Sequence, residues 1–159
     1  DVVLAQELTA QDTAGILSVV LNGYRTPNGP IVNLARTIAC GDTRYNGLAR
    51  LAQGLPCRST GVDSVLTVYA TRDSVELVDV TASIPTCRWS HVSTPGRAGL
   101  RLDLMAPGIR DGEVRAGLIV RCSATIRGQQ RNFFHSIMYA LKRTDSGWTI
   151  ERVVSSMIT

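Results

Sequence analysis

The chain has 159 residues and a net charge of +4, enough for one domain that buries a real core. No apolar run approaches the roughly 20 residues needed to span a bilayer, and ordinary apolar content without low-complexity tracts excludes a disordered chain. Of 17 basic residues only Lys142 is lysine; the arginines are scattered with little aromatic interleaving, which argues against a nucleic-acid partner.

Residues 1–8 read as a lead-in. Thr9 followed three residues on by Asp12 resembles a capping box, and Ile16, Leu17, Val20, Leu21 and Tyr24 recur at helical spacing, predicting a helix over about 10–24. Thr26-Pro27-Asn28-Gly29-Pro30 ends it. Its apolar stripe needs a sheet to cover. Ile31 to Cys40 reads as a strand. Residues 41–61 form a loop excursion bracketed by Cys40 and Cys57, with a possible short helix over 48–53.

The segment from Val62 to Val80 admits two readings: a short helix carrying Val65, Leu66 and Tyr69, or β-branched strands about Arg72-Asp73. Ser74 to Val80 is the better strand. Ile84 to Ser90 reads as a short strand containing Cys87. Leu100, Leu102 and Leu104 alternate with polar neighbours in a strand ended by Ala106-Pro107-Gly108.

From Glu113 to Ser156 three strands follow one another with period-two alternation. A type II′ turn at Gly128-Gln129 would pair Arg127 with Gln130, setting Cys122 across from His135, Val120 from Ile137 and Leu118 from Tyr139. The second turn, Thr144-Asp145-Ser146-Gly147, sets Arg143 across from Trp148, Leu141 from Ile150 and Tyr139 from Arg152. One mostly apolar face then carries three polar heads: His135, Tyr139 and Arg152. The opposite face mixes Phe134, Met138, Ala140 and Val153 with polar groups, an apolar patch suited to a partner if uncovered. The fold class is α+β: an N-terminal helix packed on a curved antiparallel sheet that ends in a three-stranded meander, all within one domain over 1–159.

The four cysteines are Cys40, Cys57, Cys87 and Cys122. They form no C-x-x-C pair, and the two histidines do not stand at zinc-finger spacing. An even count, with a sequence that opens at Asp1, favours disulfides in an oxidising compartment; four buried thiols is the alternative. Three connectivities are possible. Cys40 and Cys57 flank one local excursion, and Cys122 points to the apolar face, which leaves Cys87 as its mate. The expected pairs are Cys40–Cys57 and Cys87–Cys122, in a secreted, periplasmic or extracellular protein.

A leading helix, irregular connections and long antiparallel strands ending in YALKRTDSGWTIERVV (Tyr139 to Val154) resemble the nuclear transport factor 2-like superfamily. The resemblance implies a sheet wrapped around helices into a cone with an interior pocket. That superfamily hosts isomerases, hydrolases, scaffolds and binding proteins, so it implies no single activity. No position matches its isomerase-type Asp/Tyr pair. The single clear N-terminal helix and the cysteine-bracketed excursion depart from its pattern.

No chemical signature stands out. There is no G-x-S-x-G elbow, no phosphate-binding glycine loop and no metal-ligand set; no cofactor is called for. His91 and His135 are the two histidines. A buried arginine needs a partner, so Arg152 is either satisfied by an internal carboxylate such as Asp103 or receives an anionic ligand beside a Tyr139 donor and His135. The reading that follows is an exported, non-enzymatic domain that binds a protein or small ligand at His135, Tyr139 and Arg152, in the manner of an accessory subunit. Two alternatives stand: a small isomerase or hydrolase using His135 and Tyr139, and a self-assembling subunit that forms a homo-oligomer.

Overall fold

The computed structural model describes residues 8–24, 29–40, 55–57, 62–79, 81–88 and 98–158. In chain order the elements are α1 (Ala10–Gly23), β1 (Ile31–Ala35), β2 (Ile38–Cys40), β3 (Leu55–Cys57), α2 (Val62–Asp73), β4 (Glu76–Val78), β5 (Leu100–Leu104), β6 (Gly108–Arg110), β7 (Glu113–Ile126), β8 (Gln129–Thr144) and β9 (Gly147–Ile158). The molecule is α+β, with two helices and a seven-stranded, mostly antiparallel sheet in the order β4-β1-β5-β7-β8-β9, β6 pairing with β7.

The start of α1 is fixed by a reciprocal cap. Thr9 N–H donates to Asp12 Oδ2 and Asp12 N–H to Thr9 Oγ1, both at 3.0 Å, satisfying two donors the first turn leaves open. Its buried stripe is Thr13, Ile16, Leu17, Val20 and Leu21. That stripe packs on the sheet in one core cluster with Leu34, Leu102, Leu118, Ile137 and Leu141. Two glycines let the helix lie close to β9. A Cβ on Gly15 would stand 3.0 Å from Trp148 Cδ1, and one on Gly23 would stand 2.9 Å from Ile150 Cδ1. An ion pair between Arg143 and Asp12 at 2.5 Å ties the other end of the contact, with the guanidinium over Trp148. The helix thus lies against the first part of β9, at Trp148 and Ile150.

Several expectations change in detail. The segment 31–40 is two strands in different sheets. β1 runs parallel to both β4 and β5, so the large sheet is not purely antiparallel, while β2 pairs with β3 alone. The ambiguous segment from Val62 resolves as helix α2, burying Val62, Leu66 and Ala70 at i, i+4, i+8. Within 84–88 only an isolated bridge forms, from Thr86 to Ala98 and to Ser123. The expected helix over 48–53, Trp89 and His91 lie outside the described residues.

The first hairpin of the meander has the expected faces but not the expected register. Both Arg127 (φ 51°) and Gly128 (φ 77°) adopt positive φ, so the first hairpin turns at Arg127-Gly128 in the type I′ manner rather than at Gly128-Gln129. Ile126 pairs with Gln129, Val120 with His135, Leu118 with Ile137 and Ala116 with Tyr139; Cys122 faces Phe133. The slip is two residues, and a shift of two preserves which side every residue faces.

Cys87 and Cys122 form a disulfide, Cα–Cα 4.9 Å, inside the main core. Backbone bonds hold the approach: Cys87 N–H to the Ser123 carbonyl and Ser123 N–H to the Pro85 carbonyl. With the cysteines 35 positions apart in sequence, chain-entropy reasoning gives roughly 4 kcal/mol of stabilisation. Strands β2 and β3 set Ile38 opposite Cys57 and Cys40 opposite Leu55; the side chains of Cys40 and Cys57, and so their pairing, lie outside what is described.

Candidate functional site

The residues predicted to share a face do not all share it. Two irregularities interrupt the β8–β9 ladder, between Ala140/Leu141 and between Met138/Tyr139. Leu141 pairs with Ile150 as expected, but the next pair is Ala140 with Arg152, then Tyr139 with Val153, then Met138 with Ser155. Glu151 and Val154 are each an extra residue on β9. One extra residue in one strand moves its successors to the other side of the sheet. Arg152 therefore leaves the face of Tyr139.

On the opposite face Arg152 is half exposed and pairs with Glu113 at 2.5 Å; Glu113 also holds Arg115 at 2.9 Å. Hydrogen bonds from these two guanidiniums, Arg152 first, hold the Glu113 carboxyl below its usual range. Asp103, the carboxylate expected for Arg152, is instead taken by Arg121 at 2.7 Å and Arg101 at 3.2 Å. Arg101 also donates to the Ala82 carbonyl.

His135 and Tyr139 remain together, and two unforeseen residues join them. Tyr24 caps the C-terminal end of α1 in an extended conformation, and its hydroxyl lies 3.4 Å from His135 Nδ1, the rings tilted with centroids 6.2 Å apart. On the other side His135 Nε2 lies 2.9 Å from Ser156 Oγ on β9. Ser156 pairs with Ile137 in the ladder, so His135 is its diagonal neighbour on the same face, within reach of a ring. Tyr24 and Tyr139 are 5% and 6% exposed, His135 is partly exposed and Ser156 is exposed. The site is a short chain of polar heads running from the core to the surface, Tyr24, His135 and Ser156, with Tyr139 buried on the same face of the sheet.

Burial tunes these groups. Desolvation pushes the His135 imidazole below its ordinary 6.5, which favours the neutral ring. Desolvation, with Tyr24 beside it, pushes the Tyr139 phenol above its ordinary 10, so Tyr139 is a neutral hydrogen-bonding group at any physiological pH.

The sequence hid Tyr24 inside an apolar stripe, where it read as core. Ser156 falls on the His135 face in the expected register as well, because two bulges restore the face that one changes, but a lone serine on a strand gave no signal. The expected patch of Phe134, Met138, Ala140 and Val153 also divides. Met138 and Ala140 are buried, Phe134 stays exposed, and Val153 sits opposite Tyr139. Exposed large apolar side chains gather instead at the far end of β8 and β9: Phe134, Val153, Met157 and Ile158. Elsewhere a cleft of about 220 Å³ between α1 and α2 is lined by Ser18, Asn22, Ser64, Tyr69 and Arg72 among others; it contains none of the predicted site residues.

Among the described residues no group of three or more His, Cys, Asp or Glu is placed to hold a metal ion, and no helix is long and apolar enough to cross a membrane. Set against known proteins, the chain matches no family model, no curated protein and no solved structure.

Proposed function

We propose that this protein is an exported protein-binding domain whose contact strip is the outer half of β9. The observation that carries the reading is the placement of Phe134, Val153, Met157 and Ile158, each exposed, around one sheet edge. Among the described residues β9 pairs with β8 alone, so its outward N–H and C=O groups are open to an added strand. In strand addition the main-chain bonds give affinity, and alternate side chains reach both faces for specificity. Val153 lies on the His135 face, while Phe134 and Met157 lie on the other. A partner strand laid along β9 would meet apolar anchors on both sides. The Cys87–Cys122 disulfide is compatible with an oxidising compartment, which supports export. The cone-type architecture of the nuclear transport factor 2-like superfamily belongs to the same proposal, supported by two helices set against one open sheet.

The test is affinity purification from the source organism's extracellular fraction with wild-type bait and with a Val153→Lys/Ile158→Lys bait of equal melting temperature. A partner retained by the first and lost by the second supports the reading. An identical set of bound proteins on both baits sinks it. Sedimentation of the purified chain addresses self-assembly: a dimer that the double variant dissociates would replace the foreign partner with a second copy.

A further inference from the structure

The binding reading leaves Ser156 unused. We propose that Ser156 is a histidine-activated nucleophile that accepts acyl groups from carboxylic esters with apolar acyl chains.

A serine hydroxyl is a weak nucleophile unless a base lies within hydrogen-bond reach. His135 Nε2 meets that condition at 2.9 Å from Ser156 Oγ. For Nε2 to accept the serine proton, the imidazole proton must sit on Nδ1, which then needs an acceptor. The Tyr24 hydroxyl oxygen stands there at 3.4 Å. Tyr24 is held by burial at the end of α1, so it is a positioning residue that sets the tautomer and ring orientation of His135. Desolvation of the ring favours its neutral, basic form near pH 7.

The surroundings select the substrate. Val153 and Ile158 lie on the same face as Ser156, opposite Tyr139 and His135, and are 53% and 74% exposed. They give an acyl chain apolar contact on both sides of the hydroxyl. Among the described residues β9 is also an edge strand, so alternate N–H groups point away from β8 and can donate to the oxygen that gains charge in the transition state.

The step balances without a cofactor. Ser156 Oγ forms a bond to the ester carbonyl carbon and its proton passes to His135 Nε2. Collapse breaks the bond to the alkoxide, which leaves as an alcohol carrying that proton. Water, giving a proton to the same nitrogen, then attacks the acyl-serine, and the carboxylic acid departs as Ser156 regains its hydrogen. Tyr24 is a neutral acceptor and stabilises the intermediate imidazolium less than a carboxylate would. Esters with good leaving groups are therefore the substrates to use first.

The experiment incubates the purified full chain with p-nitrophenyl butyrate, p-nitrophenyl acetate and a fluorophosphonate probe. Nitrophenolate release is followed, and adducts are located by intact mass and peptide mapping. The expected result is one adduct, on Ser156, absent in Ser156→Ala and formed about 100-fold more slowly in His135→Ala, with butyrate preferred over acetate. Tyr24→Phe, which keeps the ring packing, should lower kcat while leaving KM and the melting temperature unchanged. No adduct at Ser156, labelling spread over other residues, or equal labelling rates in wild type and His135→Ala would each overturn the proposal. Ser156 lies on an exposed strand, so Ser156→Ala remains a folded control.

Discussion

Arg152 stands opposite Ala140, not Tyr139, and that one-residue displacement decides what the site contains. An arginine beside Tyr139 and His135 would have made an anion pocket. The bulge at Glu151 sends the guanidinium to the other face, onto Glu113, and leaves a site of hydroxyls and one imidazole.

The His135 ring should titrate below its ordinary 6.5, because burial disfavours its charged form. The folded state then binds fewer protons than the unfolded state as pH falls through this range. Its contribution to stability is complete above the unfolded value near 6.5 and is lost as pH drops through the folded value. Two-dimensional NMR of the imidazole protons gives the midpoint directly. A midpoint above 6.5, or a melting temperature that rises on acidification in this range and does so only with His135 present, would show the ring gains rather than loses basicity.

Gly117 is required by a close approach between β7 and β8. A Cβ there would lie 2.6 Å from the Ile137 carbonyl oxygen and 3.0 Å from Met105 Cε. The backbone oxygen cannot swing aside as a side chain could. Gly117→Ala should destabilise by about 1–3 kcal/mol, the scale of overpacking in a tight core. Urea denaturation measures this, and an unchanged midpoint would mean the two strands separate more readily than their spacing indicates.

Asp103 neutralises two guanidiniums in a largely buried cluster, with Arg101 only 3% exposed. Burial first, and then repulsion from Arg101, lower the Arg121 pKa against the pull of Asp103. Asp103→Asn keeps the shape and removes the charge between them. The expected loss is about 3–5 kcal/mol, as for breaking one side of a buried pair. A thermal melt within a degree of wild type would assign the stability of this face to packing alone.

Much of the fold could be read from residue spacing, for reasons that also mark where reading stopped. The Thr9/Asp12 cap and the stripe from Ile16 to Leu21 defined α1 because helix starts and amphipathic faces are local properties. The Cys87–Cys122 disulfide followed from the inward direction of Cys122, which a two-residue register slip cannot change. The slip itself arose because either Gly128-Gln129 or Arg127-Gly128 supplies a glycine with positive φ. The bulges at Glu151 and Val154 leave no trace in a hydrophobic pattern, and the first of them removed Arg152 from the predicted trio. Tyr24 reached His135 through tertiary packing across 111 positions of sequence. The parallel placement of β1 between β4 and β5 is likewise set by contacts that no local pattern encodes.

The packing of α1 on β9 also dictates an order of events. The meander from β7 to β9 is built of neighbouring hairpins, whose short loops close quickly. The apolar stripe of α1 finds its cover on the strand farthest from it in sequence, and β1 must wait for β5 before it has a neighbour on both sides. The stripe of α1 can pack on α2 early, but it gains its sheet cover only once β9, the last strand, is in place, so the two ends of the described chain complete one core together.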